Sequence, residues 1–110
     1  MDFERAWPLL QSAAVLGDSL SKEEAIEGLR NGTFALFTRE HAAALSANMG
    51  NFLRVGLAGG DLSELIDIEA EIFEYAEQNG YQAVEIVGRP GWERVLEGYE
   101  KIAVILRKPV

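Results

Sequence analysis

The stretch FLRVGLAGGDLSELIDIEAEIFEYAEQNGYQAVEIVGRPGWERVLEGY, residues 52–99, decides the fold. It opens on a β-prone run at 52–58, turns at Gly59-Gly60, and continues as a long helical pattern over 61–79 that stops at Gly80. A second β-prone run follows at 83–87. After it come Gly88-Arg89-Pro90-Gly91-Trp92 and a short helix through Leu96, with Pro90 suited to the first helical position. A helix of this length between two strands forces a crossover, so strand 83–87 is expected to run parallel to strand 52–58. In open α/β sheets, a strand, a glycine turn and a helix N-terminus in this order build a crevice for phosphate groups.

The preceding sequence supplies two helices and two more strands. Residues 2–16 read as a helix, with Phe3, Trp7, Leu10 and Ala14 at three- and four-residue steps. Pro8 belongs near a helix start, so the regular helix is expected from about Trp7. Gly17-Asp18 ends it. Ser21-Lys22-Glu23-Glu24 is a capping box, in which Ser21 accepts the Glu24 N–H and Glu24 reaches back. It opens a second helix through Leu29, stopped by Asn31-Gly32. Strands are read at 33–38 and 41–47, before the one at 52–58. Phe34 and Leu36 share one face of the first, Ala35 and Phe37 the other. The second is rich in alanine, a weak strand former. The connections at Arg39-Glu40 and 48–51 are short enough to imply antiparallel hairpins. Gly56 inside the third strand marks a bulge or a close backbone approach. A last strand is read at 101–106. The order α-α-β-β-β-α-β-α-β defines one α/β domain over residues 1–110, with a mixed sheet made of an antiparallel meander and a parallel β-α-β crossover.

Composition narrows the function. Of 110 residues, 18 are Asp or Glu and 10 are Lys or Arg, for a net charge of −8 and a pI near 4.6. That field repels nucleic acid and anionic membrane surfaces, so neither is expected as a partner. No apolar run approaches the roughly 20 residues of a membrane span, and Met1-Asp2-Phe3-Glu4-Arg5 has no signal-peptide pattern. The absence of cysteine removes disulfides, thiolate chemistry and Cys-type zinc sites. A cytoplasmic or virion-associated protein is expected.

The element order resembles the GNAT superfamily, the GCN5-related N-acetyltransferases, with that family's first strand missing or very short. The likeness runs through nearly the whole chain and is mainly topological. Gly88-Arg89-Pro90-Gly91-Trp92 with Gly98-Tyr99 is similar, more narrowly, to small GNAT-like proteins encoded by phages and prophages. The resemblance implies a GNAT-like mixed sheet and, where the family's reaction is kept, transfer of acetyl from acetyl-CoA to an amine. Acetyltransferases of the family carry a Gln/Arg-x-x-Gly-x-Gly/Ala turn whose N–H groups hold the cofactor's pyrophosphate. The corresponding segment is Gly56-Leu57-Ala58-Gly59-Gly60-Asp61-Leu62-Ser63-Glu64, in which Gly59 and Gly60 would be the cofactor-binding residues. The spacing departs from the motif and the basic or amide residue is missing. Asp61 stands as N-cap and Glu64 completes a capping pattern, each favouring the helix dipole by roughly 0.3–1 kcal/mol. A pyrophosphate at about 4–6 Å would meet them as like charges, at a cost of about 3–4 kcal/mol per pair for an effective dielectric near 20. Many members also place a Tyr five residues before the aromatic of the Gly–aromatic pair, to protonate the leaving thiolate. Counting back from Tyr99 gives Arg94.

Several residues carry two readings each. At 100° per residue, Leu62, Leu65, Ile66, Ile72, Phe73 and Ala76 form an apolar arc with Glu69 in its centre. Glu69 is a general base or ligand contact, or else half of a buried structural pair. Seven acids and no Lys or Arg fall between Asp61 and Asn79. Of these, Glu64, Asp67, Glu71 and Glu74 lie on one side, as a docking face for a basic partner or a solvated surface. His41, the only histidine, reads as a solvated turn residue. Arg89 and Trp92 form a recognition loop at the carboxyl end of the fourth strand, or Trp92 plugs the core with Arg89 beside it.

Two functional expectations follow. The leading one is a GNAT-like protein without acetyl-CoA catalysis and without a cofactor, acting as a binding or structural protein. The competing one is an acyltransferase using acetyl-CoA, with Glu69 or a water as base and a cationic amine or basic peptide as substrate.

Overall fold

The computed structural model describes residues 3–12, 20–86, 98 and 108–109. Among them, α1 (Phe3–Ser12), α2 (Lys22–Asn31) and α3 (Leu62–Gln78) flank a four-stranded mixed sheet. Its strands β1 (Phe34–Thr38), β2 (Ala42–Asn48), β3 (Phe52–Gly60) and β4 (Ala83–Ile86) lie side by side in sequence order. β1–β2 and β2–β3 are antiparallel, and β3–β4 is parallel, as the crossover length requires. The expected short helix after Pro90 and the last strand at 101–106 lie outside the described residues.

Alternation along the strands divides the core in two. Phe37, Ala42, Ala44, Leu53 and Val55 face α3, while Ala43 and Leu45 face α1 and α2. Phe34 and Leu36 join the second group and Ala35 the first, as the period of two demands. β2 is covered on both faces, and its residues Ala42, Ala43 and Ala44 are buried. Helices press on the strand from both sides, so small side chains suit it and its low β-propensity is overridden by packing.

Gly56 is the expected bulge. Leu45 stands opposite Leu57 and Ser46 opposite Val55, leaving Gly56 without a cross-strand neighbour. Beyond this point Leu57 packs with the α1–α2 side and Ala58 with the α3 side. The described ladder to β4 ends at the same place, at Val55–Ile86. Arg54, opposite Glu85 in that ladder, pairs with it at 3.0 Å and lies over the Phe52 ring.

The helix ends follow their local chemistry, with two corrections to the sequence reading. The capping box is formed: Glu24 N–H donates to Ser21 Oγ and Ser21 N–H to Glu24 Oε1, both at 3.1 Å. α2 then runs two residues past Leu29, to Asn31, before Gly32 stops it with φ 84°. α1 starts at Phe3 rather than near Trp7, so Pro8 lies inside it. Pro8 and Glu4 are both exposed, so the carbonyl left without a Pro8 N–H is on the water side. Ala6 and Leu10, fully buried on the opposite side, hold the helix to the sheet.

Candidate functional site

The expected cradle lies at the end of β3, and it is not a loop. β3 continues through Gly59 and Gly60, which pair with Ala43 and Ala42. Gly60 has φ 115°, and a Cβ there would lie 2.1 Å from the His41 carbonyl oxygen and 2.6 Å from Ala42 Cα. Glycine is needed at 60 for backbone conformation and for close strand approach together.

Of the N–H groups that follow, those of Asp61 and Glu64 are engaged. Asp61 N–H donates to the His41 carbonyl at 2.9 Å. The Asp61 carboxylate accepts the Glu64 N–H at 3.1 Å, as well as the Ser63 hydroxyl. The Ser63 hydroxyl first, and then the Glu64 N–H, hold the Asp61 carboxyl below the usual value of 3.8. The capping pattern is only half as expected. Asp61 N–H is already taken by His41, so Glu64 reaches past it and accepts the His41 N–H at 2.7 Å.

A second tie runs parallel to this one. The Arg39 guanidinium donates to Glu71 Oε1 at 2.7 Å and to the Thr38 carbonyl at 2.9 Å. Glu64 and Glu71, about two turns apart on α3, thus fasten the β1–β2 turn to the helix. Two of the four acids read as a docking face are therefore engaged within the chain. The His41 ring is exposed, with Nε2 3.8 Å from Glu40 Oε1. His41 serves the site through its backbone.

Glu69 is half-buried and lines a small apolar hollow with Ala44, Val55, Ala58, Val84 and Ile86. About 20 Å³ of the hollow is open to the centre of a water-sized molecule. One water requires roughly 10–15 Å³ by that measure. A carboxylate beside such a space can accept a hydrogen bond from one water or take a proton from it.

Glu69 is not at the centre of a buried arc. Leu65, Ile68, Ile72 and Ala76 are buried, whereas Leu62, Ile66 and Phe73 are 50, 40 and 49% exposed. At about 100° per residue the buried set spans roughly 80°, and the exposed set carries the apolar surface a further 80° or so round the helix. Glu69 falls at the seam. The sheet covers only half of what the wheel offers, which periodicity alone does not reveal.

Sequence reasoning also passed over Ser46. It is 1% exposed, on the α3 side of β2, and its hydroxyl has no hydrogen-bond partner among the described residues. Its only signal is a hydroxyl in the run 42–47, otherwise alanine and leucine. Arg89, Trp92, Arg94 and Tyr99 lie outside the described residues. Among those described, no group of three or more His, Asp or Glu side chains is placed to hold a metal ion, and no helix is long and apolar enough to cross a membrane. Comparison with protein-family models, curated proteins and solved structures finds no match.

Proposed function

We propose that this chain is a GNAT-like domain that acts as a binding protein and does not transfer acetyl groups. The observation that carries the reading is the state of the α3 N-terminus. A pyrophosphate needs free N–H groups there. Instead, the Asp61 N–H is taken by His41 and that of Glu64 by the Asp61 carboxylate. Two carboxylates occupy the same end of the helix. Gly60 has a sufficient reason in the His41–Ala42 backbone, without a ligand. The competing acyltransferase reading needs polar groups to place a thioester beside Glu69, and among the described residues lining the hollow Glu69 is the only polar one.

The test is thermal unfolding in millimolar acetyl-CoA, with mass spectrometry of an amine mixture incubated alongside. The expected result is an unchanged midpoint and no acetylated amine. Ligand at about 100 times its dissociation constant adds roughly 2.7 kcal/mol. A midpoint rise of that order, or an acetylated product, would overturn the proposal.

A further inference from the structure

The outer side of α3 carries apolar surface that the sheet leaves uncovered. Leu62, Ile66 and Phe73, with the small exposed Ala70 between them, form a stripe along the helix. Three large side chains at 40–50% exposure on one stripe form a contiguous patch, unlike the scattered single apolar residues of an ordinary surface. Asp67 and Glu74 border it on the side away from the sheet and Glu77 follows it at its C-terminal end, and none of the three meets a cation among the described residues. Glu64 and Glu71, by contrast, are held by the β1–β2 turn.

The charge pattern selects the occupant. A second copy would bring a helix with six acids, an Asp cap and no Lys or Arg against its own like. Among the described residues, Lys22, Arg30, Arg39 and Arg54 are paired with Glu4, Glu27, Glu71 and Glu85. A helix of another protein, with an apolar stripe flanked by Lys or Arg, satisfies both halves of the surface. It would lie along α3 with its apolar anchors between Leu62 and Phe73 and its cations over Asp67, Glu74 and Glu77.

We infer that the outer face of α3 is the docking surface for a cationic amphipathic helix. The inference rests on the binding-protein reading but uses side chains on the outer flank of α3 and not the N–H groups at its N-terminus, so the two can fail separately. The probe is a synthetic helical peptide of about 18 residues, five turns long, with leucines at three- and four-residue steps and flanking lysines. Its control replaces every lysine by glutamate. Binding is read by fluorescence anisotropy against the wild-type protein and against Ile66→Asp and Phe73→Asp.

The lysine peptide is expected to bind, to weaken as salt is raised, and to lose at least about tenfold in affinity with either variant. Each Asp adds negative charge, so simple attraction between an acidic protein and a cationic peptide would strengthen, not weaken. Equal or tighter binding by the variants therefore overturns the inference. Equal binding by the glutamate peptide overturns it too, as does no binding at millimolar peptide. Dimerisation of the wild type that Phe73→Asp abolishes would assign the stripe to a second copy instead. A loss of thermal midpoint beyond about 5 °C in both variants would mean that the stripe belongs to the chain's own core.

Discussion

The Glu64 carboxylate accepts the backbone N–H of His41 at 2.7 Å, while the carbonyl of the same His41 accepts the Asp61 N–H at 2.9 Å. One turn residue is thus held at both its polar backbone groups by the first turn of α3 and its cap. Removal of the carboxylate leaves the His41 N–H to water and also loses a favourable charge near the helix N-terminus. Glu64→Ala is expected to cost about 1–2 kcal/mol in urea unfolding. Glu64→Gln keeps an acceptor and is expected to cost less. Equal losses for the two would assign the effect to charge alone.

Gly60 and Gly56 are expected to respond oppositely to alanine. At Gly60 the added Cβ meets backbone atoms at 2.1 and 2.6 Å, with φ 115° against it. Gly60→Ala should cost at least about 2 kcal/mol. At Gly56 nothing lies within 4 Å of an added Cβ, and Gly56→Ala should stay within about 1 kcal/mol, with a gain possible through the unfolded chain. Denaturant midpoints of the two variants decide this. A tolerated Gly60→Ala would show that β2 and β3 part more easily than their pairing implies.

Asp61 gives the fold a dependence on acid. Its carboxyl is held below 3.8 in the folded chain, chiefly by the Ser63 hydroxyl and then by the Glu64 N–H. The folded value lies below the unfolded one, so the stabilisation is fully present above about pH 4 and is lost as pH falls through the folded value. Ser63→Ala removes the largest cause, so the Asp61 titration should move up toward 3.8 when followed by carboxyl NMR. A titration that stays put would leave the Glu64 N–H as the main cause.

Ser46 is a place where deletion should help. Its buried hydroxyl has no partner among the described residues to offset the cost of leaving water. Ser46→Ala is expected to be neutral or to stabilise by about 1 kcal/mol in thermal or urea unfolding. A loss of that size would reveal a bound water or another partner at the hydroxyl.

The elements that periodicity could reach were legible. The alternation at Phe34–Thr38 placed Phe34 and Phe37 on opposite faces, and Ser21 with Glu24 marked the start of α2. Both depend on neighbours in sequence. What escaped depends on neighbours in space. Gly59 and Gly60 read as a turn because two glycines before an N-cap usually are one; only the His41 backbone, coming from β2, makes them strand. Glu69 read as a buried acid because a helical wheel shows where apolar residues cluster, not how wide a sheet lies beneath them. Of the candidate site residues, Glu69 does border a hollow, and Gly60 is fixed for a reason other than the one expected.

β3 is two strands spliced out of phase. Up to Val55 the odd-numbered residues Leu53 and Val55 look toward α3; after Gly56 the even-numbered Ala58 does, and Leu57 is turned to the other layer. Were Gly56 paired as a regular strand residue instead of bulged, Leu57 would project where Ala58 now stands, into the wall of the Glu69 hollow. The bulge therefore puts a methyl group, rather than an isobutyl group, in the wall of the hollow, independently of the carboxylate that borders it.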